Sequence, residues 1–151
     1  MCLINYKKID LSKRKSPITC YKVFETTNGT LDSPLYDEFK GGKAWEIGKT
    51  RNLGGDRPVI DTAVNRFAEN GIAIQGWCFH TCKTLKSAKA YKRWLRRYDR
   101  YNPFMPSKFS IAKCEIPLDS KFAYIGTAVV GYEDEGIPGY VSEALTVVKL
   151  V

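Results

Sequence analysis

Residues 85–101, LKSAKAYKRWLRRYDRY, constrain this chain more than any other stretch. Stepped at 100° per residue from Lys86, the positions Lys86, Lys89, Lys92, Arg93, Arg96, Arg97 and Arg100 fall in one arc. Ala88, Tyr91, Trp94, Leu95, Tyr98 and Tyr101 fill the opposite arc. Thr84 precedes the first turn as an N-cap, and Asn102–Pro103 end the run. Seven cations with only Asp99 beside them repel one another, so the helix gains little from its own surface. Its aromatic arc needs a broad apolar surface to lie on, and the spacing elsewhere predicts a sheet. The basic arc is then either a solvated face or a docking surface for an anionic partner, including nucleic acid.

Strands are expected where apolar and polar residues alternate and β-branched or aromatic residues dominate. Ile18–Thr26 (ITCYKVFET) is the clearest, closed by turn chemistry at Asn28–Gly29. Residues 30–43 read as loop and Ala44–Ile47 as a short strand. Ile72–Cys82 reads as one strand, or as two broken at Gly76. Phe109–Ile116, Phe122–Tyr132 and Tyr140–Val151 follow, punctuated by Pro117, Gly131 and EDEGIPG. Asp61 is placed to cap a second helix running to Asn70, with Gly71 as its stop. No regular alternation of strand and helix emerges. The expected class is α+β, with a mixed, mostly antiparallel sheet and a few helices. Residues 1–17 read as a basic N-terminal arm, and 18–151 as a single domain.

GGKAWEIGKT (41–50) imitates a phosphate cradle, which needs Gly, four residues, then Gly-Lys-Ser/Thr at the start of a helix. The position for the first glycine holds Lys43, and the bulky Trp45 and Ile47 belong in a strand, so nucleoside triphosphate hydrolysis is not expected. No apolar run approaches the length of a bilayer span, so no membrane is expected. Five cysteines, an odd number, and no recognisable export signal suit free thiols in a reducing cytoplasm. The net charge of +8 suits an anionic ligand or macromolecule.

If residues 77–82 are extended, Cys78, His80 and Cys82 point the same way. That is zinc-ligand chemistry, but the fourth ligand would have to come from Cys20 or Cys114, and no bound metal is expected. His80 is the one histidine, so any imidazole acid–base chemistry rests on it. Among the carboxylates, Glu133, Asp134 and Glu135 read as a solvated turn, whereas Glu143 stands in a strand approach and is the catalytic candidate.

Taken in order, CYKVF (20–24), Gly76–Phe79, KSAKAY (86–91), IAKCEIPLDSKFAY (111–124) and YVSEALTVVKL (140–150) resemble the ADP-ribosyltransferase fold of the poly(ADP-ribose) polymerase type. YKVF, WEIGKT, CFHTC, TLKSAKAY and TVVKLV are also similar to segments of small phage and bacterial proteins of unassigned role. The transferase resemblance implies NAD or an ADP-ribose-type nucleotide as ligand, in a cleft formed by Lys22, Trp77, Cys78, His80 and Tyr91. Lys22 stands where the family holds NAD with His or Arg, and Tyr91 where it stacks the nicotinamide ring. Cys78 replaces a family tyrosine. The catalytic glutamate position falls near Gly139, and Glu143 could replace it only after a four-residue shift. These departures predict binding of a nucleotide-like or other anionic ligand without turnover. One alternative is an active NAD-dependent mono-ADP-ribosyltransferase using Glu143 and His80. Another is a protein- or nucleic-acid-interaction module, virion-associated in a phage, that docks through the basic helix.

Overall fold

A computed structural model describes residues 2–27, 29–32, 44–62, 68, 71–99, 108–129 and 136–151. In chain order these form β1 (Cys2–Lys8), a 3-10 turn at Leu11–Lys13, β2 (Ile18–Thr27), β3 (Thr30–Asp32), β4 (Thr50–Asn52) and β5 (Val59–Thr62). Then come β6 (Ile72–Gly76), β7 (Phe79–Cys82), α1 (Leu85–Asp99), β8 (Lys108–Ile116), β9 (Ala123–Val129), β10 (Ile137–Ser142) and β11 (Ala144–Leu150). The strands run β4-β11-β8-β2-β7-β10-β9-β1-β6-β5 across one sheet, with β3 paired to β2. Every strand pair is antiparallel; a parallel contact occurs at the isolated bridge between Ile47 and Val147.

The expected α+β class with a few helices is therefore corrected to a sheet-dominated fold with one α-helix among the described residues. Short segments account for the difference. Asp61, expected to cap a helix, lies inside β5 opposite Ala73, because Val59 and Ile60 join the edge of β6. Most of the remainder of that expected helix lies outside the described residues. Thr30–Asp32, expected as loop, adds to β2, and the short Thr50–Asn52 adds to β11. Part of the expected basic arm forms β1, which is inserted between β6 and β9. A backbone that finds an unpaired strand edge will pair with it whatever its side-chain pattern, since an unmet N–H or C=O is costly.

The expected strands at Ile18–Thr26 and Phe109–Ile116 stand, whereas Tyr140–Val151, expected as one run, is divided at Glu143 into β10 and β11. β2 and β8 pair over nine registered positions, Ile18↔Ile116 through Thr26↔Lys108. Alternation divides β2 between two cores. Val23, with Phe109, Ile111 and Cys82, packs under α1 against Ala88, Tyr91 and Leu95. Cys20 and Phe24 face the other way, into a cluster with Leu31, Trp45, Phe79, Cys114, Leu145 and Val147. The helix sits as its periodicity requires, with Lys86, Lys89, Arg93, Arg96 and Arg97 exposed and Lys92 half-buried; Arg100 lies outside the described residues. Thr84 caps α1, its Oγ1 accepting from the Ser87 amide at 3.1 Å.

Candidate functional site at the parting of two strands

β2 has β8 along one edge, but its other edge is shared. Tyr21 pairs with Cys82 of β7, and from Glu25 onward the partner is β3. Between these, β2 and β7 part after a single registered pair. The Nζ of Lys22 reaches across the parting and donates to the backbone oxygen of His80 at 3.3 Å. Beneath it, three rings join the two strands. Trp45 meets Phe24 of β2 edge-on at 5.4 Å and Phe79 of β7 at 5.0 Å. The Lys22 ammonium lies 5.8 Å from the Phe24 ring and 5.9 Å from Trp45. Arg51 of β4 places its guanidinium 4.6 Å from the same indole. Two cations on one indole make a cation–π site. The indole Nε1 is buried and has no hydrogen-bond partner among the described residues.

Trp45 is held here by backbone as well as by packing. It bridges to Leu31, its N–H donating to the Leu31 oxygen at 2.9 Å. Gly48 then turns with φ of +83°, and the chain enters β4 where a phosphate cradle would open a helix. Lys49 of the imitation motif pairs with Glu46.

The other predicted ligand residues are distributed around this point rather than gathered at it. Trp77 lies between β6 and β7 with φ of +53°, half-exposed. That angle is rare for a bulky residue and separates β6 from β7 just after Gly76, as the two-strand reading of Ile72–Cys82 expects. His80 turns its ring away from the Phe79 cluster, toward Ile74 and Cys78. Its Nε2 is 3.5 Å from the Ile74 oxygen, and Cys78 Sγ is 3.9 Å from Nε2. Burial, with the nearby positive charge of Lys22 adding to it, pushes the His80 pKa down to about 3. The imidazole is neutral at physiological pH. Tyr91 is buried under α1 with Val23 and Cys82, on the face of β2 opposite to Phe24, and stacks on Trp94 at 6.2 Å. Burial raises its phenol pKa.

The thiols divide in the same way. Cys20 and Cys114 are directly opposed in the β2–β8 ladder and face Phe24, whereas Cys82 faces α1. Burial pushes Cys82 and Cys114 up to about 12, so both stay protonated. No group of three or more metal-ligating side chains forms among the described residues.

Glu143, between β10 and β11, is buried, and backbone groups engage both of its oxygens. Oε1 accepts from the Gly54 amide at 3.1 Å and Oε2 from the Lys121 amide at 3.3 Å. The Lys121 ammonium closes the clasp by donating to the Gly54 oxygen at 3.1 Å and pairing with Asp56 at 3.0 Å. The carboxylate thus ties the loop after β4 to the turn before β9. Gly139, in mid-strand between β7 and β9, has no room for a side chain: an added Cβ would meet the Thr81 oxygen and the Ala128 Cβ.

No protein family, curated protein or solved structure matches this chain.

Two features escaped the sequence reading. Arg51 and Trp45 are close neighbours only because β4 adds to β11, and no local pattern indicates that. A hollow of about 550 Å³ between Lys8–Ser12 and Leu118–Phe122 likewise forms from segments distant in sequence. No helix among the described residues is long and apolar enough to cross a membrane.

Proposed function

We propose that this chain binds an anionic, nucleotide-like ligand at the parting of β2 and β7 and does not turn it over. The position of the Lys22 ammonium carries the reading. It stands at the point where the sheet ladder ends, beside an indole that a second cation, Arg51, also flanks. A phosphate or carboxylate arriving there would meet two charges of its opposite sign in a partly buried setting, where charge-assisted hydrogen bonds are strongest. Lys22 departs from the His or Arg with which the ADP-ribosyltransferases hold NAD but keeps a positive charge at that position, which supports a nucleotide over a simple anion. The absence of turnover is supported by Gly139, which leaves no space for a carboxylate, and by Glu143, whose oxygens already accept from two backbone amides. A neutral His80 facing Ile74 adds no general acid at physiological pH.

Titration calorimetry with NAD and with ADP-ribose, on the parent and on Lys22→Met, tests the reading. One-to-one binding is expected for at least one of them, weakened at least tenfold in the variant, with no NAD consumed over hours. Equal affinity in parent and variant, or no binding of either nucleotide, would overturn it. Release of nicotinamide would favour the active transferase instead.

A further inference from the structure

Six basic side chains of α1 share one arc, five of them exposed. Lys86, Lys89, Arg93, Arg96 and Arg97 are exposed and Lys92 is half-buried. None of the six makes an ion pair with a carboxylate among the described residues. Acidic residues at i+3 or i+4 would relieve such crowding, and the one acid in the sequence of α1 is Asp99, at its last position and three residues after Arg96. The crowding already registers at Lys92, whose pKa is lowered by burial and by the charge of Arg96.

A second crowding of like charge lies on the same side of the sheet. Lys113 of β8 and Lys149 of β11 are direct cross-strand partners. Lys113 follows the alternation of Phe109 and Ile111, the residues that α1 covers, so both lysines extend from that face. Like charges set opposite each other destabilise a ladder. The helix α1 and the β8–β11 pair therefore carry positive charge toward the same side of the sheet, where Glu115 of β8 and Glu25 of β2 are the carboxylates that share the face.

We infer that this face, formed by α1 with Lys113 and Lys149, docks the phosphate backbone of double-stranded nucleic acid. The chemistry favours a duplex over a single strand, because Tyr91 and Trp94 of α1, which would stack on bases, pack inward. Tyr91 is buried and Trp94 lies half-buried against it. Single-strand binders need exposed stacking platforms. From Lys86 to Arg97 the helix spans about 16 Å at 1.5 Å per residue. A duplex offers one phosphate charge for about every 1.7 Å of axis, so the face can engage several phosphates without reading bases.

The test is fluorescence anisotropy with a short labelled DNA duplex of arbitrary sequence, titrated between about 50 and 200 mM salt. The parent should bind with a steep log–log salt dependence. Arg93→Gln, Arg96→Gln and Arg97→Gln together should flatten the slope by about three, at about 0.9 per lost contact. A charge-matched control, Lys7→Gln, Arg14→Gln and Lys15→Gln, changes three exposed cations away from α1 and should leave the slope within about one of the parent. Glutamine is nearly as good a helix former as arginine, so the α1 variant should melt with the parent by circular dichroism. If it melts early, Arg96→Gln alone should still lower the slope by about one. Equal slopes for the α1 variant and the control would overturn the inference, because binding would then follow net charge and not this face. Failure of the parent to bind the duplex at the lowest salt, or tighter binding to poly-glutamate, would overturn it as well.

Discussion

Gly139 lies so close to Thr81 that a Cβ on it would stand 2.8 Å from the Thr81 backbone oxygen, and 2.9 Å from the Cβ of Ala128 on the other side. The two contacts come from β7 and β9, which sandwich β10, so neither can retreat without parting the sheet. Gly139→Ala should cost roughly 1–3 kcal/mol, the range for overpacking a filled interior. Urea denaturation of the variant measures it. A neutral result would mean that the strands can give way, and that a carboxylate could be installed where the transferase resemblance puts one.

Trp45 holds β2 and β7 together where their backbones do not. Trp45→Ala should cost about 3–5 kcal/mol, since it removes a large buried ring and its contacts with Phe24 and Phe79. Trp45→Phe should cost clearly less: it keeps an aromatic ring and removes a buried donor that has no partner. Denaturation midpoints of the two variants, measured side by side, would contradict this if Phe were as damaging as Ala.

Glu143→Gln is nearly isosteric but exchanges one acceptor oxygen for an amide nitrogen that can only donate. Either the Gly54 or the Lys121 amide then faces another donor. The expected loss is roughly 1–3 kcal/mol, the cost of stranding a buried hydrogen-bonding group. Hydrogen exchange should report the loss locally, with faster exchange at both amides. Unchanged stability would leave Glu143 without the clasp role and open to a chemical one.

The folded-state pKa of His80, about 3, lies below the unfolded reference of about 6.5. Between these values the unfolded chain binds a proton that the folded chain refuses, so stability should fall as pH drops from about 6.5 toward 3. One such proton is worth at most about 1.4 kcal/mol per pH unit. Urea midpoints of the parent and of His80→Gln across that window isolate the effect from the carboxylates, which both share. The parent should show the steeper loss. Parallel curves would mean that His80 titrates freely in the fold.

Features that depend on neighbours along the chain were legible without the fold. The 3.6-residue period of α1 fixed which arc is buried, and Ala88, Tyr91 and Leu95 are inside as it requires. Thr84 was legible as a cap because its partner is three residues away. The alternation in Ile18–Thr26 and Phe109–Ile116 marked two strands, since a half-buried strand must repeat every two residues. Lys22 could be singled out as a candidate cation, but nothing local says that β2 and β7 part beside it. Long-range strand pairing set that, together with the edge strands β3, β4 and β5. Three or four residues carry too little periodicity to specify a strand; what orders them is an unpaired ladder contributed by distant sequence. The placement of Glu143 was settled the same way. A glutamate in a strand approach looks available for chemistry until Gly54, 89 residues before it, and Lys121, 22 residues before it, bring their amides to its two oxygens. Hydrogen bonds of that reach leave no trace in local composition, so the fold alone could assign them.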